Sequence, residues 1–246
     1  MVYYACRNNT KVIEVRKLLE NISIWGDSLL QGVVLDEAQG RYSILENNCA
    51  VALAKKIGIK INNNSRFGCT APKGMKSLNK ALESDVEFSA AIIEFGGNDC
   101  DMKWAELSAN PDVEHGPNTT LAQFTSCYSD MIGALKGKGV TPVLVSLPPL
   151  DAQRYFDWVT RNGLNRENVM KCLGDVQFIY RWHERYSLAV SAMARKFSCH
   201  LIDVRDAFLS ERDYSKFMCL DGIHPNQKGH ALMETVFEEY AREFVN

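Results

Sequence analysis

Four short stretches of this chain carry residue types that could do chemistry together: Gly26-Asp27-Ser28, Asn64 to Thr70 around Gly68, Gly96-Gly97-Asn98-Asp99, and Asp221-Gly222-Ile223-His224. A serine hydroxyl is a poor nucleophile until a base removes its proton, and that base must be oriented by an acceptor on its other ring nitrogen. Asp221 and His224 stand three residues apart, so a turn between them would let the carboxylate reach Nδ1 while Nε2 faces Ser28. The oxyanion formed on attack needs donors already in place. The backbone N–H groups of Ser28 and Gly68 and the side-chain amide of Asn98 are the candidates. Taken singly, each stretch is ordinary. Gly-Asp-Ser is a common turn composition, and Asp-x-x-His before Pro225 could simply lead into a helix capped by Asn226. Their conjunction in one chain carries the argument.

Bringing Ser28 and His224 together across nearly 200 residues requires a scaffold. Apolar stretches with strand character recur at 20–25, 57–61, 88–95, 140–147 and 199–204, and helical spacing occupies 42–57, 121–136, 176–197 and 227–244. Alternation of this kind predicts a parallel sheet with helices on both faces. Ligands then bind at the carboxyl ends of the strands, where the first three clusters fall. The long irregular segment 96–118 and a shorter one beginning at 147–151 follow strands and are expected to be functional. No linker, repeat or low-complexity tract divides the chain, so one domain spanning 1–246 is expected.

The composition removes other classes. With 246 residues, 46% hydrophobic, 24% charged and a formal net charge of -2, the chain has the character of a globular protein without a basic field for nucleic acid or anionic lipid. Neither a signal-type apolar stretch near the start nor a run of roughly 18 apolar residues is present, so a cytoplasmic protein with no membrane partner is expected. The eight cysteines form no Cys-x-x-Cys pair and no close Cys/His cluster, which favours free thiols.

The whole pattern resembles the SGNH/GDSL hydrolases. Gly26-Asp27-Ser28-Leu29 with Gly32 matches the nucleophile block, Gly68 with Thr70 the glycine block, Gly96-Gly97-Asn98-Asp99 the asparagine block, and Asp221 to His224 with Pro225 the terminal block. The resemblance implies a three-layer α/β/α sandwich, flavodoxin-like, with a parallel five-stranded sheet, and a Ser-His-Asp esterase mechanism that uses no metal and no other cofactor. It implies Ser28 as nucleophile, His224 as base and Asp221 as its orienter, with Ser28, Gly68 and Asn98 forming the oxyanion hole. One departure stands out: Ser65 and Arg66 occupy the region where the glycine block often has a second glycine. Arg66 could favour a polar or anionic substrate, or could sit in solvent.

The expected partner is a small ester, either a short acyl ester or an acetylated carbohydrate. An acyltransferase or thioesterase on the same triad is the alternative, and a non-catalytic glycan-binding module is a remote one. Oligomeric state is open. Asp27 is expected near the substrate, bracing the nucleophile loop through backbone hydrogen bonds. Trp104, and Tyr155, Phe156 and Trp158 after Pro148-Pro149, could line an acyl or sugar pocket or serve the core. His183 and His230 are expected on helices as packing or surface residues, His200 at a strand start, His115 in solvent, and Cys69 as a small packing residue. Asp99, Asp101 and His115 match no defensible metal spacing.

Overall fold

A computed structural model describes residues 21–84 and 87–245. Five parallel strands, β1 (Asn21–Gly26), β4 (Lys60–Asn63), β5 (Ala90–Glu94), β6 (Thr141–Val145) and β7 (His200–Ile202), form a sheet in the order β4-β1-β5-β6-β7. This is the flavodoxin-like order, with its topological switch between β1 and β5. Successive strand residues point to opposite faces, and the apolar residues sort accordingly. Ile22, Ile24, Ala90, Ile92, Val143 and Val145 enter one core, under α2 (Cys49–Ile57), α10 (Val204–Ser210) and α11 (Gln227–Val245). Trp25, Ala91, Ile93 and Leu144 enter the other, under α3 (Ala71–Leu82), α6 (Leu121–Gly137) and α9 (Gln177–Lys196). The result is the expected three-layer sandwich. Among the described residues, no helix is long and apolar enough to cross a membrane.

The strands lie where the apolar stretches place them, except that the one expected at 57–61 is Lys60–Asn63. The helix before it runs to Ile57 and ends at Gly58, so the chain turns before the strand begins. A larger correction concerns 42–57, expected as one helix. Its first residues instead belong to β3 (Arg41–Ile44), which pairs antiparallel with β2 (Val33–Asp36). Two local devices impose the hairpin. The Asp36 carboxylate accepts from the N–H of Ala38 and of Gln39, both at 3.1 Å, and so shapes the turn. Asn48 then accepts from Ala50 and Val51 N–H, both at 3.2 Å, starting the helix only there.

A third cluster lies over the carboxyl edge of the sheet. The segment after β5 contains α4 (Gly97–Cys100) and α5 (Trp104–Ala109), and the one after β6 contains α7 (Ala152–Thr160) and α8 (Arg166–Leu173). Leu107, Leu150, Tyr155, Phe156, Val169, Leu173 and Ile179 pack together here. Ser108 joins the two segments, its Oγ accepting from Asn165 N–H and its carbonyl from the Asn168 amide, each at 2.7 Å. The irregular segments of the sequence thus become a helical cap over the sheet edge.

Candidate active site

Where β1 ends, the chain turns at Gly26-Asp27 into the single-turn helix α1 (Ser28–Gln31). Asp27 caps it, its Oδ1 accepting from Leu29 N–H at 2.9 Å. Gly32 closes the turn at φ +86°, and a Cβ there would lie 2.4 Å from Asn48 Nδ2, so both its backbone and its packing require glycine. Ser28 is held rigidly at the switch point, with 7% of its surface exposed.

The base arrives from the loop between the 3₁₀ turn Tyr214–Phe217 and α11. Asp221 Oδ1 accepts from the N–H groups of Ile223 at 3.0 Å and His224 at 3.1 Å, folding the stretch into a tight turn. Asp221 Oδ2 then lies 2.7 Å from His224 Nδ1, and His224 Nε2 lies 2.9 Å from Ser28 Oγ. Asn226 Oδ1 caps α11 through the N–H groups of Lys228 and Gly229, so the same loop meets both the helix-entry expectation and the chemical one. Burial pushes the Asp221 carboxyl up. The hydrogen bond and charge of His224, with two backbone N–H groups, outweigh this and hold it below the usual carboxylate range. An ionised Asp221 fixes the imidazole with Nε2 facing the hydroxyl.

The other candidate donors lie on the segments that follow neighbouring strands, Asn98 lining the same cavity as Ser28 and Gly68 lining the adjoining groove. After β4 the chain continues alongside the end of β1, Asn64 N–H donating to the Ile24 carbonyl at 2.8 Å and Arg66 N–H to that of Gly26 at 3.1 Å. Gly68 follows at φ +68°, with open space where a Cβ would project. Asn98, in α4, donates from Nδ2 to Asp27 Oδ2 at 2.9 Å, leaving the second amide hydrogen available. Beneath them, Glu94 is 0% exposed at the end of β5, and its Oε2 lies 3.4 Å from the Asp27 N–H. Burial pushes both the Asp27 and Glu94 carboxyls up, Glu94 well above the usual range, with the charge of Asp27 adding to the effect.

A cavity of about 370 Å³ opens from Ser28 and His224 beneath the helical cap. Asp27, Trp104, Tyr155 and Trp158 all line it, whereas Phe156 is buried in the cap. Asp27 presents little for binding, because its oxygens already serve Leu29 and Asn98. Trp104 Nε1 and the Tyr155 hydroxyl both donate to Asp101 Oδ1, at 2.9 Å and 2.7 Å. Asp99 instead accepts from Ala71 N–H, and His115 Nε2 meets the Asn110 carbonyl, so Asp99, Asp101 and His115 do not converge. Among the described residues no group of three or more His, Cys, Asp or Glu could hold a metal.

Tyr42 and Phe67 line the cavity without having been singled out in the sequence, and His183, expected only to pack or to face solvent, lines it too. Tyr42, on the hairpin, sits 5.0 Å from the His224 ring, and Phe67 stacks on it at 6.1 Å. Burial and the nearby Asp221 carboxylate push the Tyr42 hydroxyl up, so it stays protonated. His183 is a buried wall of the cavity, and burial together with the Arg205 charge holds its pKa down to about 3. Its spacing with Ile179 and Trp182 on one face of α9 was the available signal. The remaining expectations fare simply: His230 is buried on α11, His200 opens β7, Cys69 is buried in a core, and the seven described cysteines are free.

A flavodoxin-like sandwich with a Ser-His-Asp array at its switch point defines the class as that of the SGNH-type hydrolases. The chain belongs to the GDSL-like lipase/acylhydrolase family, whose model matches residues 24–232, and it is a carboxylic ester hydrolase of that type. Solved structures share the fold. A lipase/acylhydrolase from Enterococcus faecalis is 20% identical with a TM-score of 0.63, covering 92% of this chain and 95% of its own. The acetyl-xylooligosaccharide esterase Axe2 from Geobacillus Stearmophilus, solved as a mutant, is 17% identical at TM-score 0.61, covering 92% and 96%. The psychrotrophic esterase EstA from Pseudoalteromonas is 16% identical at TM-score 0.58, covering 92% and 99%. No curated protein matches the sequence.

Proposed function

We propose that this protein is a serine esterase that hydrolyses a small carboxylic ester, of a short acyl group or an acetylated carbohydrate, through an acyl-Ser28 intermediate. The observation that carries the reading is the continuous relay from Asp221 Oδ2 through His224 to Ser28 Oγ, at 2.7 Å and 2.9 Å. His224 Nε2 takes the hydroxyl proton as Oγ bonds to the ester carbon. The N–H groups of Ser28 and Gly68 and the Asn98 amide receive the oxyanion. Collapse breaks the ester C–O bond, and His224 returns its proton to the departing alcohol. Water repeats the sequence on the acyl-enzyme, releasing the acid and restoring Ser28. The aromatic walls of the cavity and the acetyl-ester relative support a small acyl group or sugar as the part enclosed.

The test is hydrolysis of 4-nitrophenyl acetate together with labelling by a fluorophosphonate. Wild type turns over the ester and is labelled stoichiometrically at Ser28, while Ser28→Ala loses labelling and at least about 10⁴-fold in kcat. Undiminished turnover by Ser28→Ala overturns the assignment.

A further inference from the structure

Beside the candidate active site, on the far side of Phe67 from the aromatic cavity, runs a groove of about 490 Å³. Its floor includes Gly26, Gly68 and Phe95, and its rim carries Arg66, Lys73, Lys76 and Lys80. No acidic residue lines it. None of the four cations is ion-paired among the described residues. This concentration of one sign occurs in a chain whose formal net charge is -2. Lys73, Lys76 and Lys80 share one face of α3 and span two helical turns, about 10 Å. Arg66 extends the row toward Gly68. Phe67 borders both this groove and the cavity, so an ester at Ser28 can send one half into each.

We propose that this groove binds an anionic half of the ester substrate, a linear group bearing two or more carboxylates or phosphates. The proposal rests on the esterase reading for the word substrate, but not for the binding itself. A cleft lined by cations and walled by low-dielectric protein focuses its field and raises the local concentration of an anion. Exposed lysines on a helix face ordinarily face solvent, and each is worth little alone. Here three lysines and Arg66 border one concavity that meets the catalytic cavity at Phe67. The Arg66 departure from the glycine-block pattern is part of the same surface.

Two measurements decide it. In the kinetic one, acetylated oligogalacturonate (anionic) is compared with acetylated xylo-oligosaccharide (neutral) of equal length. Wild type favours the anionic ester at least tenfold in kcat/KM at low ionic strength. The preference falls with added salt. In the double charge reversal Lys73→Glu/Lys76→Glu, the anionic-to-neutral ratio drops at least tenfold, through KM rather than kcat. The milder Lys73→Gln/Lys76→Gln gives an intermediate ratio if the reversal is poorly folded. The second measurement is calorimetric binding of unacetylated oligogalacturonate and of tripolyphosphate to Ser28→Ala, which needs no turnover. Binding of either, abolished by the reversal, supports the groove, and the tighter probe identifies carboxylate or phosphate as the anion. Binding without acetate turnover by wild type retains the groove and overturns the esterase reading. Equal kcat/KM for the two esters, or no binding of either anion, overturns the groove.

Discussion

The hydroxyl, imidazole and carboxylate at the centre of this site are held by groups that never meet substrate in the proposed reaction. Asn98 would stabilise the oxyanion only if its amide stays aimed, and what aims it is the Asp27 carboxylate 2.9 Å away. Asp27 in turn is steadied by Leu29 N–H, from which its carboxylate accepts, and by Glu94, whose Oε2 faces the Asp27 N–H. Asp27→Asn tests this chain. An asparagine can still accept from Leu29, but its NH₂ then faces the Asn98 NH₂, donor against donor. We expect kcat on 4-nitrophenyl acetate to fall about tenfold with little change in KM. Asn98→Ala should cost about 10² to 10³-fold in wild type and distinctly less in the Asp27→Asn background. Strictly additive losses would mean that Asp27 does not act through Asn98. At this scale the sequence was informative, because residue type and order name Ser28, His224, Asp221 and Asn98 without geometry. Glu94 was not legible, since a glutamate inside an apolar strand reads as an interruption until its burial beside Asp27 is seen.

The elements that shape the cavity were harder to read than the strands that align the chemistry. A buried parallel strand announces itself as an apolar run. α5, α7 and α8 are short, and their apolar residues cluster over the sheet edge, so they read as irregular chain. Tyr42 was lost because 42–57 reads as one helix with no role for it at the site, whereas the Asp36 turn and the Asn48 cap put it beside His224. The cap helices carry the prediction belonging to this scale. Trp104 on α5 and Trp158 on α7 bound a cavity of about 370 Å³. Wild type should therefore hydrolyse 4-nitrophenyl acetate and butyrate well, with kcat/KM falling at least about tenfold by the octanoate. Trp158→Ala removes a wall that also carries the Arg161 guanidinium, 3.4 Å above its ring, and should flatten the chain-length profile. Equal wild-type rates from acetate to octanoate would show that the tryptophans do not limit the pocket.

For the molecule as a whole, the carboxyl edge of the sheet gathers buried acids whose ionisation opposes folding. Asp99 is the most tractable of them. It is 0% exposed, and both of its oxygens lie 3.0 Å from the Ala71 N–H that begins α3. Burial raises its pKa from 3.8 to about 7, because the hydrogen bonds from Thr119 and Ala71 only partly replace lost hydration. The folded protein therefore keeps this proton up to about pH 7, whereas the unfolded chain releases it near pH 4. Between those values the native state binds more protons, so the Asp99 contribution to stability is greatest below pH 4 and is lost as pH rises toward 7. Asp99→Asn keeps an oxygen for Ala71 and removes the charge. Its unfolding free energy, from urea titrations at pH 5, 6, 7 and 8, should gain on that of wild type by up to about 1.4 kcal/mol per pH unit until the two profiles run parallel above pH 7. A constant gap across the whole range would mean that Asp99 ionises at its ordinary pKa within the fold, and that the hydrogen bonds from α3 and Thr119 fully compensate its burial.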